Sequence, residues 1–230
     1  ENSLNTGSVL SGGNLNLKTL SIGSLVKQVA PGDDIQAAID AVSREGGGTV
    51  QLLAETYNPT SDIFIKTGVV IAGAGRDISL IDFAGAPFCI RGEGIENSPL
   101  SNFALRNFSL TRSAASYGID LDYCSNFEMN SVEVYSCTGT GIFIDHCIDF
   151  SLLLTQSNTN GAGGIFIDTS GVGLTDSDST KDFAIIGCTT SGNTTFGFQS
   201  DVSANNLNQG GVIGAVQQAA VALLNQVLLR

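Results

Sequence analysis

The chain has 230 residues, enough for one substantial domain, and its 42% hydrophobic content can form a sizeable core. Its 22 acidic and 10 basic residues give a formal net charge of −12, which argues against a nucleic-acid partner because no surplus of Lys and Arg can displace counterions. The 28 glycines and the charged fraction of 14% are typical of a protein rich in turns and strands that works outside cells.

A helix is the first element that the sequence predicts, after an N-terminal extension over residues 1–30. Within residues 31–47 the run DDIQAAIDAVSRE places apolar side chains at helical spacing, which gives the helix one apolar face. Asp33 and Gln36 predict a capping box at its start, and Gly46 predicts its end. We therefore expect an amphipathic helix that caps the structure that follows.

Short strands follow, and from residue 103 they repeat at a step in the low twenties. The repeating positions are Phe103, Phe127, Phe150 and Phe183; Gly118, Gly141, Gly164 and Gly197; and Asp122, Asp145, Asp168 and Asp201. A period of this length without a helix predicts a solenoid in which each repeat is one coil. We expect a parallel β-helix of about seven coils over residues 48–209. The Phe positions, and Ile119 with its equivalents Ile142, Ile165 and Phe198, then form inward ladders, and the glycines mark a corner.

The last segment, residues 210–230, is predicted to be an apolar helix or cap. Ile213, Val216, Ala220, Leu223 and Val227 recur at steps of three and four. This spacing indicates a helix that covers the last coil or contacts another subunit. A membrane span is disfavoured because the Gln and Asn side chains in this segment are costly in hydrocarbon.

These features resemble the pectin-lyase-like superfamily, which includes pectate-lyase-3-type domains and phage tailspikes. The resemblance rests on DIQAAIDAVSREGGGTVQLLAETY, on GVVIAGAGRD and on the Gly-Ile-x-Ile-Asp coils, and it covers residues 27–203. It implies an all-β fold, a right-handed, single-stranded parallel β-helix. The scaffold hosts lyases, hydrolases, epimerases, adhesins and structural spikes, so it implies no single activity. The motifs of its calcium-dependent lyases, polygalacturonase-like hydrolases and alginate epimerases are missing from the coils, which favours a non-catalytic role.

The repeated Asp residues are candidate catalytic groups. Asp122, Asp145 and Asp168 should stack along one edge, with adjacent rungs about 5 Å apart and alternate rungs about 10 Å apart. These separations bracket those of the carboxylate pairs in glycosidases. Asp120 and His146, the only His, join the candidates, since imidazole titrates near neutral pH. In one alternative interpretation each Asp accepts a hydrogen bond at a turn. In another, a calcium ion bridges neighbouring Asp side chains. His146 is then an incidental corner residue.

A second outward row contains the candidate binding or interface residues Phe143, Phe166 and Gln199, in line with Asp120. Two adjacent exposed Phe side chains indicate a contact surface. They could pack under the insertion at residues 172–180, pack against another subunit, or stack against a sugar. The sequence leaves these three interpretations open.

Calcium is the one cofactor that the sequence suggests. Asp176, Asp178 and Asp182 in DSDSTKD partly resemble a calcium-binding loop. Cys124 and Cys147 occupy equivalent positions in adjacent coils, and we expect stacked thiols because parallel stacking brings them close without the torsion that a disulfide needs.

Two classes of function follow from these residues. The first is a non-catalytic module at a cell or virion surface or free outside the cell, for adhesion, polysaccharide contact or assembly of homo-oligomers into a spike or filament. The alternative is a polysaccharide-degrading enzyme, either a glycosidase that uses a pair of Asp side chains or a calcium-dependent lyase.

Overall fold

The computed structural model describes residues 25–168 and 180–200, together with two short strands near the C-terminus. In chain order the elements are β1 (Leu25–Val29), α1 (Ile35–Arg44), β2 (Gly48–Leu52), β3 (Thr56–Tyr57), β4 (Ile63–Phe64), β5 (Val69–Ala72), β6 (Leu80–Asp82), β7 (Ile90–Glu93), β8 (Leu100–Thr111), β9 (Tyr117–Asp122), β10 (Cys124–Tyr135), β11 (Thr140–Asp145), β12 (Ile148–Leu153), β13 (Gln156–Asn158), β14 (Gly163–Asp168), β15 (Lys181–Ile186), β16 (Thr189–Ser191), β17 (Phe196–Ser200), β18 (Val212–Ile213) and β19 (Gln217–Gln218). Successive coils pair in parallel throughout these strands. The chain is a right-handed parallel β-helix, and the predicted fold class is confirmed.

Each coil has three faces. The strands form a 13-stranded sheet and a 6-stranded sheet. The larger sheet bends within β8, whose first half pairs with β5 and whose second half pairs with β6, and β10 bends in the same way between β12 and β13. The larger sheet therefore supplies two faces. The 6-stranded sheet of β4, β7, β9, β11, β14 and β17 supplies the other, which we call the third face.

The helix α1 caps the first coil, but its N-cap is Asp34 rather than Asp33. The Asp34 carboxylate accepts hydrogen bonds from the backbone N–H groups of Gln36 at 2.8 Å and Ala37 at 3.2 Å. The predicted capping box is wrong because the Gln36 side chain is used elsewhere: its Oε1 accepts the N–H of Phe64 at 2.6 Å, and its Nε2 donates to the Phe64 carbonyl at 3.2 Å. Gln36 thus hydrogen-bonds to β4 as a neighbouring strand would.

Two apolar ladders fill the coil interior, as predicted. The rings of Phe103, Phe127, Phe150 and Phe183 stack with centroid separations of 4.9, 4.8 and 5.1 Å. On the third face Ile119, Ile142, Ile165 and Phe198 lie in register. Cys124 and Cys147 are buried free thiols in adjacent coils, and the N–H of Cys124 points to Sγ of Cys147 at 3.4 Å. Burying these side chains supplies most of the driving force for folding.

The corners are formed by residues other than the repeated glycines. At the bend between the first two faces φ is +58° at Asn107, +54° at Ser131, +51° at Leu154 and +65° at Gly187. Gly118, Gly141, Gly164 and Gly197 lie inside third-face strands, so their predicted corner role is wrong. A Cβ at Gly141 would lie 2.1 Å from Oγ of Ser157, so the close approach of the second face explains glycine there.

Near the C-terminus the structure has strands where the sequence predicts a helix. Register pairs join Ile185 of β15 to Ile213 of β18, and Thr190 of β16 to Gln218 of β19. The helix predicted over this segment is wrong at these strands, because pairing satisfies the backbone groups that the preceding coil would otherwise leave open. Residues 219–230 lie outside the described residues. In the part of the chain that the structure describes, no helix is long and apolar enough to cross a membrane.

Candidate functional site

Two outward rows of the third face bring most of the candidate residues together. One row, in register from coil to coil, contains Phe64, Arg91, Asp120, Phe143, Phe166 and Gln199. The other, which we call the acidic column, contains Glu93, Asp122, Asp145 and Asp168. The predicted positions are thus observed, and Glu93 extends the column by one coil. The sequence concealed Glu93 because its coil lacks the Gly-Ile-x-Ile-Asp pattern.

Four aromatic side chains form a continuous patch on this face, which we call the aromatic strip. Tyr117 stacks on Phe143 with ring centroids 4.3 Å apart, Phe143 contacts Phe166 at 5.4 Å, and Phe166 contacts Phe196 edge-on at 5.8 Å. All four side chains are half-buried. The predicted Phe pair is therefore the centre of a larger surface. Tyr117 and Phe196 were missed because the equivalent residues of the intervening coils are not aromatic.

Gly163 makes room for one end of the aromatic strip. It lies in register with Phe196, and a Cβ at this position would lie 2.0 Å from Cζ of the Phe196 ring. The ring therefore lies across the Gly163 backbone and reaches Phe166. A side chain at position 163 would displace Phe196 and shorten the strip.

His146 and two carboxylates form a cluster at the end of the strands, which we call the Asp–His cluster. Nδ1 of His146 lies 3.1 Å from Oδ1 of Asp122 and 3.1 Å from Oδ2 of Asp145. The backbone N–H of His146 donates to the other oxygen of Asp145 at 2.9 Å. Tyr123 stacks on the imidazole, with centroids 4.4 Å apart and planes 5° from parallel, and so fixes its orientation.

Burial shifts the protonation of this cluster. It raises the pKa of Asp145 from 3.8 to about 6, the negative charges of Asp168 and Asp122 add to the rise, and His146 opposes it. Burial also raises the pKa of Asp120, against the effect of Arg91. Asp145 therefore carries a proton in an appreciable fraction of molecules at mildly acidic pH, which a general acid requires.

Arg91 balances the charge at one end of the face. Its guanidinium lies 3.0 Å from Asp62, 3.2 Å from Glu93 and 3.5 Å from Asp120. These contacts all lie at the N-terminal side of the Asp–His cluster. The negative charge of Asp122, Asp145 and Asp168 therefore dominates the part of the face beside the aromatic strip.

In the part of the chain that the structure describes, the residues that could hold a metal belong to the Asp–His cluster. Asp176 and Asp178 lie outside the described residues, and Asp182 lies in β15 of the larger sheet. Thr180 of the same loop is buried and bridges the backbone: its Oγ1 accepts the N–H of Cys147 at 3.1 Å and donates to the carbonyl of Asp168 at 2.9 Å. In the Asp–His cluster one ligand atom from each residue lies within 4.8 Å of the others, a donor set of one nitrogen and two oxygens.

A shallow cleft of about 260 Å³ lies beside the Asp–His cluster. Tyr123 and His146 form one wall, and Glu96, Asn97 and Pro99 line it from the loop between β7 and β8. Part of the imidazole can therefore be reached from outside. The described residues thus supply an aromatic surface, a column of carboxylates and a His that are accessible from one side of the molecule.

Comparisons with known proteins establish the fold. No protein-family profile and no curated protein matches the sequence. Among solved structures, ORF18 of Geobacillus virus E2 superposes with a TM-score of 0.57 and 19% identity, over 79% of this chain and 44% of that protein. The catalytic domain of a GH87 α-1,3-glucanase in complex with nigerose superposes with a TM-score of 0.60 and 12% identity, over 83% of this chain and 36% of that domain. This chain thus spans less than half the length of either structure, and it shares their fold.

Proposed function

We propose that this chain, a parallel β-helix with the fold of the pectin-lyase-like superfamily, binds an extracellular polysaccharide along its third face. The observation that carries the proposal is the aromatic strip running beside the acidic column on one exposed face. Connected apolar surface of this kind usually marks a contact site. The adjacent row of carboxylates supplies the hydrogen-bond acceptors that a hydroxyl-rich ligand needs.

The two surfaces suit the two sides of a sugar ring. A pyranose has an apolar face of C–H groups, which can lie over the outward ring edges of Tyr117, Phe143 and Phe166, and an edge of hydroxyls, which can donate to Asp168 or Asp122. Aromatic centroids 4.3 to 5.8 Å apart repeat at about the length of one sugar unit in an extended chain. A polysaccharide lying parallel to the coil axis could therefore contact one ring per coil.

The proposed location is outside the cell or at a virion surface, where polysaccharides are encountered. The low charged fraction of the sequence agrees with that location. The likeness in fold to a phage protein is a further support. Self-association through the aromatic strip, in a homo-oligomer, is the competing use of the same surface.

Glycoside hydrolysis is a second candidate function, favoured by the Asp–His cluster. Asp145 has the raised pKa of a general acid, and a carboxylate oxygen of Asp122 lies within 4.8 Å of one of its own. The carboxyl groups of retaining glycosidases are about 5 to 5.5 Å apart. The Asp122 side chain is 45% exposed and that of Asp145 only 20%, an asymmetry that suits an ionised nucleophile beside a protonated acid.

The experiment that tests binding is affinity electrophoresis through gels that contain a panel of neutral and acidic polysaccharides. The double variant Phe143→Ala and Phe166→Ala should bind at least about tenfold more weakly, since covering one Phe ring is worth about 1.5–3 kcal/mol. Phe64→Ala is the matched control, because Phe64 is 39% exposed in the same row but lies outside the strip.

Unchanged binding in the double variant would refute the proposal that the strip binds glycan. Light scattering of the same proteins tests the competing use: a fall in mass in the double variant alone would assign the strip to self-association. Assaying the panel for new reducing ends tests hydrolysis, and activity that survives in Asp145→Asn would exclude the role given to that residue.

A further inference from the structure

We infer that the third face selects uncharged polysaccharides and rejects polyanionic ones such as polyuronates. The inference rests on the proposed function and names the substrate class of the same site. The reason is the charge that lies beside the aromatic strip. A sugar that contacts Phe143 or Phe166 has the acidic column immediately next to it, because the two outward rows are two residues apart on each strand.

The carboxylates of the acidic column repel the carboxylate of a charged sugar. Asp122, Asp145 and Asp168 occupy consecutive coils, about 4.8 Å apart. A uronate repeats its charge at every sugar, so one carboxylate of the ligand would face one carboxylate of the protein in each coil. Two like charges about 5 Å apart weaken binding about fourfold even in water, and more where protein excludes water.

The cation of the third-face strands and two arginines near the larger sheet are engaged by protein carboxylates. Arg91 is the only Lys or Arg in the third-face strands, and Asp62, Glu93 and Asp120 already surround it. Arg106 pairs with Glu128 in the larger sheet, and Arg112, which follows β8, pairs with Asp82 of β6. The imidazole of His146 faces Asp122 and Asp145. Within the described ranges no unpaired Lys or Arg of a third-face strand is thus available to meet a ligand carboxylate.

A neutral sugar meets no such penalty. Its hydroxyls donate to the same carboxylates that repel a uronate, and charge-assisted hydrogen bonds are stronger than those between neutral groups. The aromatic strip itself has no charge, and the outward row that contains Phe166 continues in register to the uncharged amide of Gln199. The net charge of −12 also slows the approach of any polyanion to the chain.

The test uses pairs of polysaccharides that share a backbone and whose substituents are neutral in one member and negatively charged in the other. One pair is fully methyl-esterified and de-esterified polygalacturonate, and the other is hydroxyethyl and carboxymethyl cellulose. Binding is measured by affinity electrophoresis at low salt, alongside underivatised neutral glucans, with Ca²⁺ and with EDTA. In any pair that binds, we expect the neutral polymer to bind at least about tenfold more tightly than the charged one. Added salt should reduce this ratio of affinities, because it screens the repulsion.

Variants connect the preference to the acidic column. The double variant Asp122→Asn with Asp168→Asn should bind the charged polymers more tightly. The ratio of neutral-polymer to charged-polymer affinity should fall at least about threefold. Asp77→Asn with Asp149→Asn removes the same charge elsewhere, at two exposed residues whose φ values of +61° and +55° Asn tolerates. This control should leave the preference as it is.

The outcomes separate the inference from the proposed function. If a charged polymer binds as tightly as its neutral partner, with or without Ca²⁺, the inference is overturned while polysaccharide binding stands. An equal effect of the two double variants also overturns it, because the preference would then follow net charge and not the column. If no polymer binds, both fail.

Discussion

Replacing Asp145 by Asn should make the chain more stable at neutral pH. In the fold the pKa of this carboxyl rises from 3.8 to about 6, chiefly because it is buried. One pKa unit corresponds to about 1.36 kcal/mol, so ionising Asp145 costs the folded chain up to about 3 kcal/mol relative to the unfolded chain. With 20% of the side chain exposed, solvent relieves only part of this cost.

The sign of the pH dependence follows from the raised pKa. Well below pH 3.8 the carboxyl is protonated in both states and has no effect on stability. As the pH rises from about 4 to 6 the unfolded chain gives up its proton first, so the free energy of unfolding falls. Above about pH 7 both states are ionised and the full penalty applies. The uncharged amide introduced by Asp145→Asn resembles the protonated carboxyl, so the variant escapes the penalty.

Urea unfolding followed by circular dichroism between pH 4 and 8 measures this difference. The variant should exceed the stability of the parent chain by less than about 1 kcal/mol at pH 4 and by up to about 3 kcal/mol at pH 8. Asp149→Asn, at an exposed residue of β12, is the control and should change stability by less than about 0.5 kcal/mol at every pH. Parallel pH profiles for the parent chain and Asp145→Asn would refute the reasoning.

Two further substitutions test the packing that supports the site. Gly163→Ala should push the Phe196 ring off the strand, cost about 1 kcal/mol in urea unfolding and weaken glycan binding; a variant that binds as the parent chain does would contradict the role given to Phe196. Asn160→Ala should cost about 1–3 kcal/mol, because Asn160 is buried and its Oδ1 accepts the N–H of Cys137 at 3.1 Å. The half-buried Asn130→Ala is its control, and equal urea midpoints for the two variants would contradict this account.

The interior of the coils could be predicted from the sequence because an inward position meets the same environment in every coil. Phe103 and Phe127 are therefore the same residue type, and the ladder can be recognised in the sequence. The corners could not be predicted in this way, since the left-handed conformation at Asn107, Ser131 and Leu154 is adopted by three different residues. Outward positions also vary from coil to coil, because a side chain exposed to solvent is not constrained by packing.

Parts of the candidate site were therefore visible and parts were not. Asp122, Asp145 and Asp168 recur at one register, so the acidic column was predicted except for Glu93. The full aromatic strip was hidden because Tyr117 pairs in register with Thr140 and Phe196 with Gly163, so neither ring has an aromatic neighbour at its own position. The raised pKa of Asp145 depends on packing, which no spacing reveals.

The side chain of Gln36 limits how molecules of this kind can join. By donating to and accepting from the backbone of Phe64, it occupies the hydrogen-bonding groups that a strand from another molecule would need at this edge. Fibre-like growth by end-to-end stacking is thus blocked at this position. Because each coil of a solenoid contacts only its neighbours, the gain or loss of whole coils further along the chain would leave the hydrogen bonds between Gln36 and Phe64 unchanged. The number of coils in the third face can accordingly change in evolution without exposing the backbone groups of Phe64 that Gln36 occupies.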